Sequence, residues 1–251
     1  MKAIFITVRT GSKRLANKCL LKINGTTTIE HLIRRVKKSK KTDLIVLCTS
    51  NNKEDDVLCD IAVANNIDYY RGSSKDKLER WNGACNKYQV NFFVTADGDD
   101  LFCDPELIDL AFNQYDKSDG GIDFIKSNDV ICGSFTYAIK SDALKKVCSL
   151  KDTDDTEMMW VYFTETGLFR VEDLQDVNHV YCRDDIRMTL DYDDDYKFFK
   201  KIIEHFGDRE FSLKEIIEYI DLNPDVKKIN YHCHQEWKNN QKMKTKLLLK
   251  S

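Results

Sequence analysis

Short apolar runs alternate with helical periodicities through the first half of the chain. Ala3 to Val8 (AIFITV), Leu44 to Cys48 (LIVLC) and Asn91 to Ala96 (NFFVTA) read as strands buried on both faces, with a shorter strand at Asp68 to Tyr70. Thr27 and Glu30 form a capping-box pattern, and Ile29, Leu32, Ile33 and Val36 follow at helical spacing. Asn52 onward predicts a helix with Val57, Leu58, Ile61 and Ala62 inward. Asp76 to Tyr88 predicts another, and Asp104-Pro105 caps a further one with proline at its first position. Strands alternating with helices predict an α/β fold with a mostly parallel, doubly wound sheet.

After about residue 121 the pattern changes. Phe124 to Ser127 and Ile131 to Lys140 read as strands of a mixed extension, Ser141 to Ser149 and Thr153 to Thr166 as helices, and Arg187 to Leu190 as a late strand. Asp193 is expected to cap a helix with Tyr196, Phe199 and Ile203 inward, and Ser212 and Glu215 form a second capping box. No repeat, low-complexity tract or linker interrupts the chain, so a single domain over 1–251 is expected.

Composition narrows the class. The 42% hydrophobic content and two prolines in 251 residues exclude a disordered chain. A formal net charge of −3 without a long basic stretch argues against nucleic acid as a partner. The basic segment Lys238 to Lys250 is expected to be a solvated helix or frayed end. No apolar run approaches membrane-spanning length. The nine cysteines form no CxxC pair, which suits free thiols in a reducing cytoplasm. His232-Cys233-His234 matches no standard zinc spacing.

Two loops carry candidate chemistry. Arg9 to Lys18 (RTGSKRLANK) follows the first strand, where open α/β sheets bind ligands. Gly11 and Ser12 allow backbone N–H groups to approach an anion, and Arg9, Lys13, Arg14 and Lys18 supply cations that suit a triphosphate. The loop is neither a Walker loop nor GxGxxG, and from spacing alone it is equally an ordinary charged turn. Asp97-Gly98-Asp99-Asp100 follows the strand NFFVTA, and Asp191 ends the segment Arg187 to Leu190. Carboxylates at strand ends suit a hard cation such as Mg²⁺, and they also suit a solvated acidic turn.

These residues resemble the RxGSxRLxxK signature of the cytidylyltransferase superfamily. That superfamily includes CMP-ketodeoxyoctonate and CMP-sialic acid synthetases and the SpsF-type polysaccharide biosynthesis proteins. The SpsF-type pattern is the most similar. It continues in Val46 to Asn51 (VLCTSN), Arg71-Gly72, Asp76 to Arg80, Gly98-Asp99, Asp104-Pro105, Arg187 to Asp191 (RMTLD) and Phe211 to Pro224 (FSLKEIIEYIDLNP). The resemblance implies a Rossmann-like nucleotide-diphospho-sugar transferase fold. It divides the domain into a nucleotide-binding half, 1–120, and an acceptor-side half with C-terminal helices, 121–251. It further implies Mg²⁺, CTP and in-line attack on the α-phosphorus, with an acidic or phosphorylated acceptor and a role in capsule or surface polysaccharide biosynthesis. A homodimer is compatible with it.

Position by position, Arg14 and Lys18 would hold triphosphate oxygens. Arg9, Thr10 and the backbone from Gly11 through Ser12 to Lys13 would line the same anion. Thr49, Ser50 and Arg80 would lie near the cytidine, with Asp97 beside the nucleotide. Asp99 and Asp191 would hold the metal, and Lys18, Arg14 and Asp99 would carry the catalysis. Arg183, Arg187 and Trp160 are the candidates for the acceptor, and the two arginines are equally read as surface charges or as salt-bridge partners of Asp184 or Asp185. The chain departs from the pattern in three places. Ala16-Asn17 replaces the usual Pro-Gly before the loop lysine, and Leu101 replaces a proline after Gly-Asp-x. Asp155 to Trp160 (DTEMMW) stands where SpsF-type proteins carry Arg-Glu-His-Val-Thr-Pro. Asp97-Gly98-Asp99 is also a DxD, so a metal-dependent glycosyltransferase is the rival reading, and a non-catalytic nucleotide-binding homologue is another.

Overall fold

The apolar run near the amino terminus becomes a central strand because both of its faces are covered. Ile4 and Ile6 face one core and Ala3 and Phe5 the other. The computed structural model describes residues 1–12, 14–127 and 129–250. Its elements begin with β1 (Lys2–Thr7), the antiparallel pair β2 (Lys22–Ile23) and β3 (Thr26–Thr27), α1 (Thr28–Val36), β4 (Leu44–Ser50) and α2 (Asp56–Ala64). They continue with β5 (Asp68–Gly72), α3 (Lys77–Tyr88), β6 (Phe92–Asp97), α4 (Pro105–Lys117), β7 (Phe124–Lys126), β8 (Tyr137–Lys140) and α5 (Ser141–Leu150). The remainder is α6 (Val161–Thr164), β9 (Val171–Asp173), α7 (Asp193–Phe206), α8 (Leu213–Leu222), α9 (Pro224–Lys228) and α10 (Cys233–Lys244).

The main sheet has the order β5-β4-β1-β6-β8-β7-β9. β5, β4, β1 and β6 are parallel, while β8 runs antiparallel to both β6 and β7. Helices α1, α2, α4, α7 and α8 pack apolar residues on one face, and α3, α5 and α6 cover the other. This is the expected α/β fold with a mixed extension. The carboxyl ends of the parallel strands lie along one edge, where the loops after β1, β4, β5 and β6 converge.

The local signals hold at the helix starts. Both capping boxes, Thr27 with Glu30 and Ser212 with Glu215, are formed, and Asp104 accepts from the Glu106 and Leu107 amides. At α7 the cap differs from the expectation. Asp193 is the first helical residue, Tyr192 is the N-cap, and Asp195 accepts from the Tyr192 amide.

Three expectations beyond residue 121 are corrected. Only Tyr137–Lys140 of the segment from Ile131 is a strand, and Arg187 to Leu190 joins Cys132 by a single bridge. Gly133 explains the close crossing: it has φ +88, and a Cβ there would stand 2.0 Å from the Met188 carbonyl oxygen. Thr153 to Thr166 is helical only in α6, because Lys151 and Thr156 give their side chains to Asp76 at the start of α3. The basic tail is α10 followed by a returning segment, in which Leu249 bridges Lys151 and the Lys250 amide donates to the Leu150 carbonyl at 2.9 Å. Among the described residues no helix is long and apolar enough to cross a membrane. All nine cysteines are free, and Cys182 alone among them is exposed.

Candidate active site

The loop after β1 is shaped from both sides. The Gly98 amide donates to the Thr7 carbonyl at 2.8 Å, and a Cβ on Gly98 would fall 2.6 Å from Val8 Cβ, so the acidic loop can press against the end of β1 only because this residue is glycine. Asp55 fixes the other side. It accepts from the Thr10 amide and hydroxyl at 2.8 and 2.7 Å and from the Ser50 hydroxyl. Further along, Asn17 has φ 50, a left-handed conformation that asparagine tolerates, so it can stand where the family pattern has glycine. The space beside Gly11 is open. Lys13 lies outside the described residues.

Lys18 joins the two acidic strand ends. Its ammonium donates to Asp99 at 2.6 Å and to Asp191 at 2.8 Å, and Arg14 binds the same Asp191 oxygen at 2.5 Å. Burial opposes the Lys18 charge, yet Asp99 and Asp191 outweigh it and hold its pKa above the ordinary lysine value. Burial likewise works against the Asp191 carboxylate, but Lys18, Arg14 and Arg187 together hold it below the usual range. Asp97 is pushed up by burial, which the Lys77 ammonium at 3.5 Å only partly offsets. Asp100 is pushed up further, by burial and by Asp99 and Asp97. The site thus holds more carboxylate than its cations neutralise.

That charge balance fits a divalent cation. Asp99 and Asp191 present hard oxygen donors, and the Lys18 ammonium stands between them as a cationic placeholder. A triphosphate offers Lys18 and Arg14 alternative partners of the same charge as those carboxylates.

On the far side of β1, residues assigned to the cytidine gather around the ends of β4 and β5. The side chains of Thr49 and Ser50 are fully buried. Arg80 is also buried: it donates to the Ser73 carbonyl at 2.5 Å, its Nε has no partner, and no carboxylate pairs with it among the described residues. Gly72 makes room for it, since a Cβ there would stand 3.1 Å from Arg80 Cγ. Arg9 donates to the neighbouring Ser74 carbonyl and faces Glu157 at 3.7 Å.

The acceptor-side candidates separate. Arg187 is corrected: its guanidinium is wholly buried, pairs with Asp195 at 2.9 Å, lies 3.5 Å from Asp191 with Nη1 unpartnered, and packs 5.8 and 5.3 Å from the Tyr192 and Trp237 rings, where it ties α7 and α10 to the site floor. Arg183 grips Asp185 bidentately through Nε and Nη2 and both Asp221 oxygens through Nη1, each at 2.8 Å, so four of its five donors are used. Trp160 remains near the chemistry, stacked at 6.3 Å on Tyr137, whose hydroxyl pKa is pushed up by burial and then by Asp97 and Asp100. Sequence reasoning missed Asp55, Asp76 and Asp195. Asp55 and Asp195 lie in acidic runs and Asp76 stands between two lysines, so each reads as a solvated helix start, and only the fold aims these carboxylates inward.

Comparison with known proteins bears on the whole chain. The cytidylyltransferase family model matches residues 3–224. An uncharacterized protein of Methanocaldococcus jannaschii is 34% identical over 239 residues, covering 94% of this chain and 97% of that one. The spore coat polysaccharide biosynthesis protein SpsF of Bacillus subtilis is 26% identical over 227 residues, covering 88% and 94%. A solved cytidylyltransferase of Leptospira borgpetersenii superposes with TM-score 0.82 at 26% identity over 90% of this chain and 95% of its own. A CMP:2-keto-3-deoxy-manno-octonic acid synthetase complexed with CTP shares the fold at TM-score 0.62 and 13% identity, covering 82% of this chain and 99% of that one. With its lysine-bridged acidic strand ends and a family match spanning both halves, the chain belongs to the cytidylyltransferase family and is a nucleotidyltransferase.

Proposed function

We propose that this nucleotidyltransferase transfers CMP from CTP to an acidic or phosphorylated small molecule and releases pyrophosphate. The observation that carries the reading is the Lys18 bridge between Asp99 and Asp191, with Arg14 on the same carboxylate. In the reaction an acceptor oxygen forms a bond to the α-phosphorus, and the bond from that phosphorus to the bridging oxygen breaks. Lys18 and Arg14 turn from the carboxylates to the departing pyrophosphate and stabilise its charge. Arg80, with a buried unpartnered N–H, suits the uncharged acceptor atoms of a cytosine ring. Asp99 and Asp191 would hold Mg²⁺, which would supply positive charge for the reacting phosphate.

The division of labour follows the chain: residues 1–120 bind nucleotide and 121–251 build the acceptor wall around Trp160 and Tyr137. The likeness to SpsF supports a product used in surface polysaccharide assembly, and CTP as substrate places the reaction in the cytoplasm. The test is pyrophosphate release from CTP, with a panel of sugar acids and phosphorylated sugars as acceptors. Wild-type protein releases pyrophosphate with at least one acceptor, and Lys18→Ala and Asp99→Ala do not. Wild-type rates in both folded variants would overturn the reading.

A further inference from the structure

A second group of metal-ligating side chains lies outside the nucleotide site. Asp194 stands on the first turn of α7, and His232 and Cys233 stand at the start of α10. Among the described residues these three bring one carboxylate oxygen, one imidazole nitrogen and one sulfur within 4.8 Å of one another. His232 Nε2 is 3.2 Å from Asp194 Oδ2 and 3.5 Å from Cys233 Sγ. A tetrahedral Zn²⁺, with bonds of about 2.3 Å to sulfur and about 2.0 Å to nitrogen and oxygen, sets an S···N edge of about 3.5 Å and an N···O edge of about 3.3 Å. Both edges already have these lengths. The Asp194 carboxylate is also held in place: Lys197 takes Oδ1 at 2.7 Å, which leaves Oδ2 turned toward His232.

The packing of α10 gives this group a purpose. Cys233 is the helix's only buried residue, and the rest of its sequence (HQEWKNNQKMK) is polar or half-exposed. A helix of this length with so little apolar burial is marginal by itself. Yet α10 places Trp237 5.3 Å from the Arg187 guanidinium and donates from Asn240 to the Tyr192 hydroxyl at 3.2 Å, and the Tyr192 ring lies 5.4 Å from Arg14. The helix therefore backs the wall that carries the phosphate-binding arginine, and something beyond side-chain burial must fix its first turn.

We propose that Asp194, His232 and Cys233 bind one Zn²⁺, with water in the fourth position, and that this ion clamps α10 to α7. Binding converts the Cys233 thiol to a zinc thiolate and releases its proton to solvent. The sulfur ligand separates this site from the all-oxygen pair Asp99 and Asp191, since thiolate favours zinc and carboxylates favour magnesium. The ion's part is to hold the two helices together, and the site stands whether or not CTP is the nucleotide used.

The test uses the full chain, freed of metal by chelator and kept in excess Mg²⁺, titrated with Co²⁺ and then Zn²⁺. One equivalent of Co²⁺ is expected to give a thiolate-to-cobalt charge-transfer band and the intense visible bands of a tetrahedral site, both erased by Zn²⁺. Cys233→Ser abolishes the charge-transfer band. His232→Ala and Asp194→Asn, changes at more exposed positions, weaken binding by more than the roughly 10- to 100-fold that loss of an outer-sphere partner costs. Zn²⁺ also slows tryptic cleavage at Lys238 and Lys242 in the wild type and not in His232→Ala. Weak octahedral cobalt bands, or an unchanged band and affinity in His232→Ala, would overturn the proposal. If Cys233→Ser does not fold, His232→Ala and Asp194→Asn decide alone.

Discussion

The two halves of this molecule treat charge in opposite ways. In residues 1–120 the charged groups at the strand ends are left in tension. Lys18 is shared between carboxylates of different loops, Arg80 is buried without a counter-ion, and Asp97 and Asp100 are pushed toward their protonated forms. In residues 121–251 Asp191 is shared with Lys18 and Arg14, but the arginines pair with carboxylates of their own half. Arg187 pairs with Asp195 and lies 3.5 Å from Asp191, Arg183 pairs with Asp185 and Asp221, and Lys126 with Asp173. A cation already satisfied by a buried carboxylate has little to gain from a ligand, whereas one shared between competing carboxylates gains a full partner. That difference supports the proposal that the first half receives a charged ligand while the arginines of the second half hold the fold.

The sharpest way to break that contrast is Arg187→Leu. It strands Asp195 without its partner in the interior and is expected to cost about 3–5 kcal/mol of stability, read from urea unfolding. A stable Arg187→Leu protein with a raised KM for the acceptor would return Arg187 to the acceptor site. Next comes Lys18→Ala, expected to lower kcat about 100- to 1,000-fold, or about 2.7–4 kcal/mol of barrier, with the fold retained. An effect confined to the acceptor KM would contradict its place on the nucleotide side.

Asp55→Asn tests how the loop after β1 is held and is expected to cost about 1.5–3 kcal/mol. Its pH dependence has a defined sign. Burial pushes the Asp55 carboxyl up, but hydrogen bonds from Ser50 and Thr10 outweigh this and leave it below its ordinary value. The carboxylate therefore stabilises the fold above the unfolded value of about 3.9, and that contribution is lost as pH falls through the lower folded value. Urea midpoints measured from about pH 5 downward should fall less steeply in Asp55→Asn than in wild type. The smallest effect belongs to Glu157→Gln. Its exposed pair with Arg9 contributes less than about 1 kcal/mol to stability, so thermal unfolding should move little.

Much of the first half was legible in the sequence. Its strands are continuous apolar runs and its helix starts carry capping pairs, which are local signals that the fold obeys. The second half was less legible. Thr153 to Thr166 has helical spacing, but Asp76 draws Thr156 and Lys151 out of any helix, and Asp76 is distant in the chain. For Arg183 the sequence offered its neighbour Asp185 as a partner, and the fold forms that pair; for Arg187 the sequence did not reveal that Asp195 faces it. The same limit hid Asp55 within a run of exposed acids and hid Asp194 from the histidine and cysteine on α10.

The sequence by itself determined the parallel α/β architecture, the cationic loop after the first strand and the acidic loop after β6. These follow from periodicity and from neighbours along the chain, which act over a few residues. Only the tertiary structure decided that Lys18 lies between Asp99 and Asp191, that Arg187 is interior, and that α10 meets the first turn of α7. Those facts depend on which distant side chains share a space of a few ångströms. Charge pairing and metal ligation are decided at that range, and chain position does not encode it.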